Sequence, residues 1–172
     1  MTGKDVYNDA VNISNKTDLI EGQVVVMINR RAKLQDGILL FASTGTGTVG
    51  RMAYIKEYTG NWAVSETMYC IKLSKDVNPL FVMNYLYSSH ARNQFEPKIS
   101  KGSVPHLKIA DLLDVKIPLL TMPEQNKLVD ILSKFSRLSM SLTEGLPAEI
   151  KARQQQYEYY RDKLLTFRRK AC

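Results

Sequence analysis

Cysteine is almost missing from this 172-residue chain: Cys70 and Cys172 are the only two, in no metal-ligand spacing. That excludes a disulfide framework and a zinc site. Histidine is equally scarce. His90 falls in a predicted helix and His106 in a loop, and neither has a paired acid or nucleophile placed by spacing, so no acid–base or nucleophilic constellation is expected. No apolar run approaches bilayer length, and the first twenty residues are polar, so neither a membrane span nor a targeting peptide is read and a cytoplasmic protein is expected. Internal repeats and low-complexity linkers are also lacking. What is present, 44% hydrophobic residues, suffices for one real core with a helical extension partly outside it.

The net charge is +7, which favours a polyanionic partner. Four of those net charges fall from Glu149 onward, on Lys151, Arg153, Arg161, Lys163, Arg168, Arg169 and Lys170 against three acids. A solvated helix face, or a docking surface for an acidic partner, explains that excess as well as phosphate binding does. Within the preceding residues, local clusters matter more than the sum.

The pattern predicts an α+β fold. Gln23 to Asn29 is a β-branched run read as a strand, Gln35-Asp36-Gly37 a turn, and Ile38 to Ala42 a second, buried strand. Thr48 to Lys56 and Trp62 to Leu73 read as further strands. Pro79 to Phe95 has helical spacing with Asn78-Pro79 as its start, Ala110 to Leu113 is at most a short helix, and Val115 to Leu119 reads as a strand.

Several strings invite a catalytic reading. Gly45-Thr46-Gly47-Thr48-Val49-Gly50 fits G-x-G-x-x-G after a strand, but the period-two residues that follow predict another strand, so no helix N-terminus would meet a pyrophosphate. A glycine-rich turn is the better reading. Asn78-Pro79-Leu80-Phe81 resembles the Asn-Pro-Pro-aromatic motif of DNA amino-methyltransferases, yet Leu80 replaces the second proline and no glycine-rich cofactor strand accompanies it; helix capping is preferred. Asp111 with the acid-x-Lys string Asp114-Val115-Lys116, or the string Glu96-Pro97-Lys98, fits a nuclease pattern only by force, because the second acid on an adjoining strand that its metal requires is not identifiable.

The C-terminal region carries two heptad runs out of register. Leu128, Ile131, Phe135, Leu138 and Leu142 keep 3-4-3-4 spacing, and Leu146, Ile150, Tyr157, Tyr160, Leu164 and Phe167 keep the same rhythm one residue later. The slip falls at Glu144-Gly145-Leu146-Pro147, where one helix is expected to end and another to begin; the first starts at Met122-Pro123-Glu124-Gln125. Periodicity is equally consistent with a helical hairpin inside one core and with an inter-chain coiled coil. Tyr157, Tyr159 and Tyr160 suit base stacking less than packing, because Tyr157 and Tyr160 lie on the seam.

Ile117-Pro118, Pro123-Glu124-Gln125, Leu128-Val129, Ile131-Leu132 and the stretch Gly145 to Phe167 resemble the conserved region of type I restriction-modification specificity subunits, and Gly45 to Gly50 and Gly102 to Leu113 resemble that family's looser target-recognition pattern. The resemblance implies a target-recognition domain over residues 1–122 and a helical spacer and dimerisation region over 123–172, forming a coiled-coil stalk. It implies a DNA sequence-recognition subunit with no catalysis of its own. S-adenosylmethionine, ATP and Mg would then belong to partner methyltransferase and restriction subunits. The subunits of that family carry two recognition domains and two helical regions. One of each here implies a half-subunit or fragment that pairs through its helices as a homodimer or with a second half.

With double-stranded DNA as the implied partner, Phe95 to Lys108 is the best candidate to touch it. Pro97, Gly102 and Pro105 argue for an irregular loop; Lys98, Lys101 and Lys108 supply charge for phosphates, Ser103 and His106 can bond phosphates or base edges, and Arg92 adds a charge nearby. Thr46 and Arg51 mark the glycine turn, and Arg30, Arg31 and Lys33 a second basic turn. A last helix of about 23 residues at ~1.5 Å each would span on the order of 35 Å, close to one DNA turn, so two heads on one stalk would read a bipartite site. The competing readings are an interaction module that only pairs helices and, on weaker grounds, a standalone nuclease.

Overall fold

In a computed structural model, which describes residues 1–7, 9–12, 20–140 and 147–167, Ile38–Ala42 forms the central strand of a three-stranded antiparallel sheet. Every residue of this strand is buried, as an unbroken apolar run between two neighbours and two covered faces requires. Numbering elements in chain order, the short strands Val6–Tyr7 (β1) and Ala10–Val11 (β2) pair with each other, and helix Gly22–Ala32 (α1) precedes β3 (Ile38–Ala42). Then come β4 (Met52–Ile55) and β5 (Met68–Lys72), flanking β3 in the order β4-β3-β5. Register pairs Leu40 with Ala53 on one side and with Cys70 on the other. Alternation divides β3: Ile38, Leu40 and Ala42 join Val6, Leu34, Ala53, Ile55, Val64 and Met68 in one core, while Phe41 meets Phe95 edge to face with ring centroids 6.0 Å apart. Each such fully buried side chain contributes roughly 1.5–3 kcal/mol.

The helices are α2 (Pro79–Tyr87), α3 (Ser89–Phe95), α4 (Ile109–Leu113), α5 (Met122–Met140) and α6 (Pro147–Leu164). The chain divides into two compact units, one of residues 1–75 and 95–115 and the other of residues 76–94 and 116–172. The first is the sheet with its loops, the second a helical assembly. The mixture of small sheets and helices agrees with the α+β expectation.

Five sequence expectations are corrected. Gln23 to Asn29 is helical: Val25 is buried with Ile28, Asn29 and Ala32 half-buried behind it, an i, i+3, i+4, i+7 stripe that outweighs the β preference of three consecutive valines. Asn29 fastens this helix, its amide donating to Trp62 O at 2.9 Å and to the Tyr58 hydroxyl. The strands predicted over Thr48 to Lys56 and Trp62 to Leu73 are shorter. Residues 45–50 fold back on themselves, and Ala63 and Val64 are buried in loop, the Ser65 N–H donating to Met1 O rather than to a ladder. Pro79 to Phe95 is two helices parted at Ser88, which is extended (ψ 154°) and turns its hydroxyl back to Tyr85 O at 2.6 Å. Val115 to Leu119 is no strand. Pro118 has no N–H, and side chains replace the ladder: Lys116 N–H donates to Gln94 Oε1, and Lys116 O accepts from the Tyr85 hydroxyl.

The helix starts follow the local signals. Asn78 Oδ1 accepts from the N–H groups of Leu80 and Phe81 with Pro79 in the first turn, the capping role expected over the methyltransferase motif. Ahead of α5, Glu124 reaches back to accept from both the N–H and the hydroxyl of Thr121. Buried Gln125 accepts from Asn78 N–H at 2.8 Å and donates to Leu120 O and Asp76 O, joining the starts of α2 and α5.

Candidate nucleic-acid interface

After β3 the chain must reverse within a few residues into β4. Gly45, Gly47 and Gly50 all have positive φ (114°, 71° and 86°), a region that glycine enters without a Cβ clash. Thr48 secures the loop, its hydroxyl donating to Thr44 O at 2.9 Å and its N–H to Gly45 O, and Gly50 N–H returns to Ala42 O. Since β4 follows directly, the G-x-G-x-x-G string is a turn between strands, as expected.

The glycine loop is stitched to the lysine-bearing loop. Gly45 N–H donates to Pro105 O at 3.0 Å and Leu107 N–H to Ser43 O at 2.9 Å, with Thr44 opposite His106 in an isolated antiparallel bridge. Thr44 Oγ1 and His106 Nδ1 are 2.8 Å apart, and Tyr69 donates its hydroxyl to Leu107 O. Two segments singled out separately by sequence thus share one edge of the sheet unit, with Thr46 and Gly47 exposed on one side and residues 100–104 on the other.

The candidate residues differ in their commitments. Lys101, Ser103 and Lys108 are exposed. Lys98 instead bridges Asp111 (3.7 Å) and Asp114 (3.5 Å), so the carboxylates of the acid-x-Lys string face an ammonium. Arg51 is half-buried and donates from Nη1 to Val6 O. Arg30 and Arg31 occupy the last turn of α1, where cations favour the helix dipole, and Arg31 pairs with exposed Glu66 at 3.2 Å; Lys33 closes the helix in the left-handed conformation. Arg92 lies on α3, in the helical unit. No three His, Cys, Asp or Glu side chains gather as a metal site among the described residues. Burial pushes the Cys70 thiol up to about 11, which keeps it neutral at pH 7 and a poor nucleophile.

In the helical unit, α5 and α6 pack on each other, with Phe135 stacked on Tyr160 at 5.5 Å. Tyr157 donates toward Asn84 Oδ1 under the Arg161 guanidinium, and Asp162 accepts from Ser89 N–H. Leu128, Ile131, Leu164 and Phe167 are half-buried; the most enclosed positions are their neighbours Val129, Leu132 and Leu165. Leu142 and Leu146 lie outside the described residues, as do the side chains of Leu138 and Ile150. At 18 residues α6 spans about 27 Å, less than the expected length.

Sequence reasoning passed over Ser43 and Thr44, since a Ser-Thr pair after a buried strand carries no signal of its own. It also passed over Gln125 as a junction, although a polar residue on the apolar face of α5 was the available clue.

The family model for the type I restriction modification DNA specificity domain matches residues 2–152. The chain is 50% identical over 70 residues to the specificity subunit of the EcoR124I/EcoR124II type I restriction enzyme of Escherichia coli, covering 41% of this chain and 17% of that one. It is 35% identical over 136 residues to a type I restriction enzyme specificity subunit of Haemophilus influenzae, covering 76% and 32%. The chain therefore spans between about a sixth and a third of the length of these relatives. Among solved structures, an HsdS subunit from Thermoanaerobacter tengcongensis aligns with TM-score 0.49 at 22% identity, over 64% of this chain and 28% of that one.

Proposed function

Because the chain belongs to the family of type I restriction modification DNA specificity domains, we propose that it is a sequence-reading element that directs partner subunits to a DNA site and performs no chemistry of its own. The observation that carries this reading is the stitch between the glycine loop and the loop of Lys101, Ser103, His106 and Lys108, which gathers a rigid polar edge and exposed cations. Phosphate contacts by Lys101 and Lys108 would set register, and polar groups at Thr46, Ser103 and His106 would meet base edges. Methyl transfer and cleavage, with their S-adenosylmethionine, ATP and Mg, belong in this reading to separate subunits docked on the helical unit. A bipartite target would follow from pairing with a second recognition domain through α5 and α6.

The test is duplex binding by the purified chain across a salt series, followed by light scattering with and without a type I methyltransferase subunit. Binding that weakens with salt, and a complex in which two copies of the chain capture methyltransferase, are the expected results. A chain that neither binds duplex nor captures the methyltransferase would remove the reading.

A further inference from the structure

Beyond a general DNA-facing edge, we propose that His106 is the base-reading side chain of the stitched loops, and that its Nε2 acts as a hydrogen-bond acceptor for the exocyclic amino group of adenine or cytosine. This rests on the recognition role above and says which atom performs it.

His106 N–H donates to Ser100 Oγ at 3.0 Å and its carbonyl accepts from Ser100 N–H at 2.9 Å. Its neighbours Pro105 and Leu107 are held by Gly45 and Ser43. Nδ1 meets Thr44 Oγ1 at 2.8 Å, which leaves Nε2 as the one polar atom of the residue with no partner among the described residues. The polarity of Nε2 follows from the other end of the chain of bonds. The buried Ser43 hydroxyl has one proton and gives it to Thr67 O at 3.0 Å, a carbonyl that can only accept. The contact between Ser43 Oγ and Thr44 Oγ1, 3.3 Å, is then made by the Thr44 proton. With that proton used, the bond to the ring is donated by Nδ1–H. Neutral His106 accordingly shows a bare lone pair at Nε2, at the end of a relay running from His106 through Thr44 and Ser43 to Thr67.

A side chain anchored in this way differs in kind from its neighbours. Lys101 and Lys108 are exposed ends of flexible stems and suit phosphates, which need charge but little direction. Base choice needs a group held in position before the DNA arrives. In the major groove an acceptor complements adenine N6 or cytosine N4 and opposes guanine O6 and N7 or thymine O4.

Selection of bound duplexes from a randomised pool by the full 172-residue chain tests this. The native chain is expected to enrich sequences with one position at which adenine and cytosine exceed guanine and thymine on the same strand by about tenfold. In His106→Asn the shorter amide stands where Nδ1 was and keeps the bond to Thr44 while deleting Nε2. That position alone should become indifferent. Thr44→Val, which releases the ring, should weaken the same position, whereas Lys101→Ala should lower enrichment for all sequences and leave the pattern intact. An unchanged pattern in His106→Asn overturns the inference while leaving DNA recognition standing, and a position preferring guanine or thymine overturns the acceptor assignment. A native chain that enriches no sequence removes the inference together with the recognition reading.

Discussion

Two polar junctions, one in each unit, hold their segments by opposite means. In the sheet unit, residues 43–45 and 105–107 exchange backbone hydrogen bonds across a long stretch of chain, with the hydroxyls of Ser43 and Thr44 added behind them. In the helical unit a single side chain, Gln125, reaches three backbone groups near the starts of α2 and α5. A backbone junction tolerates changes of side chain but demands particular φ and ψ angles. A side-chain junction tolerates backbone adjustment but fails with one substitution. The first arrangement frees the exposed side chains of its loops from holding the fold, and the second concentrates that task on one residue.

The strongest way to break the contrast lies beneath the sheet junction. Phe41 is fully buried against Phe95, so Phe41→Ala should cost about 3–5 kcal/mol in denaturant unfolding. Amide exchange should locate the lost protection in β3, β4 and β5; equal losses in α2 and α5 would mean that the two units do not respond separately. Next in size, Gln125→Leu should cost about 1–3 kcal/mol, because Asn78 N–H and the carbonyls of Asp76 and Leu120 lose their shared partner. If equilibrium unfolding of that variant matches the native chain, Gln125 is no junction. Third, Gly45→Ala forces a Cβ into a backbone at φ 114° and against the Thr48 hydroxyl, with a cost of about 1–3 kcal/mol. The readout that matters there is the amide of Gly45 itself, whose exchange should speed up as its bond to Pro105 O is lost.

The two junctions were not equally visible in the sequence. Asn78-Pro79 and Met122 to Gln125 are local signals, each set within about one turn of helix, and the structure repeats them, while the break expected over residues 144–147 falls largely outside the described residues. Ile38 to Ala42 and the glycine turn were legible for the same reason. The Val24 to Val26 run misled because three β-branched residues say less than the spacing of Val25, Ile28, Asn29 and Ala32. Convergence of Thr44 with His106 was illegible, since the residues lie 62 positions apart and neither segment's composition names its partner. The partners of Lys98 were illegible for the same reason: spacing placed it among the basic residues, and only the fold brings Asp111 and Asp114 to it.

That last difference yields the smallest effect and the finest comparison, between two lysines of one loop. Lys101 is exposed, while Lys98 is held between two carboxylates. A cation that contacts a phosphate releases bound counterions, so its removal flattens the dependence of log affinity on log salt, by about 0.9 for B-form DNA. Lys101→Ala should show that change. Lys98→Ala should weaken binding through the two acids it leaves uncovered, yet keep the native slope, because a cation already paired within the protein displaces no counterion from the DNA. Isothermal titrations of one duplex at several salt concentrations separate the cases. If the Lys98 variant also flattens the slope, its ion pairs open on binding and the lysine turns outward to the backbone of the DNA. The loop would then carry a third phosphate contact beside those of Lys101 and Lys108, and its register on the duplex would be set by their spacing.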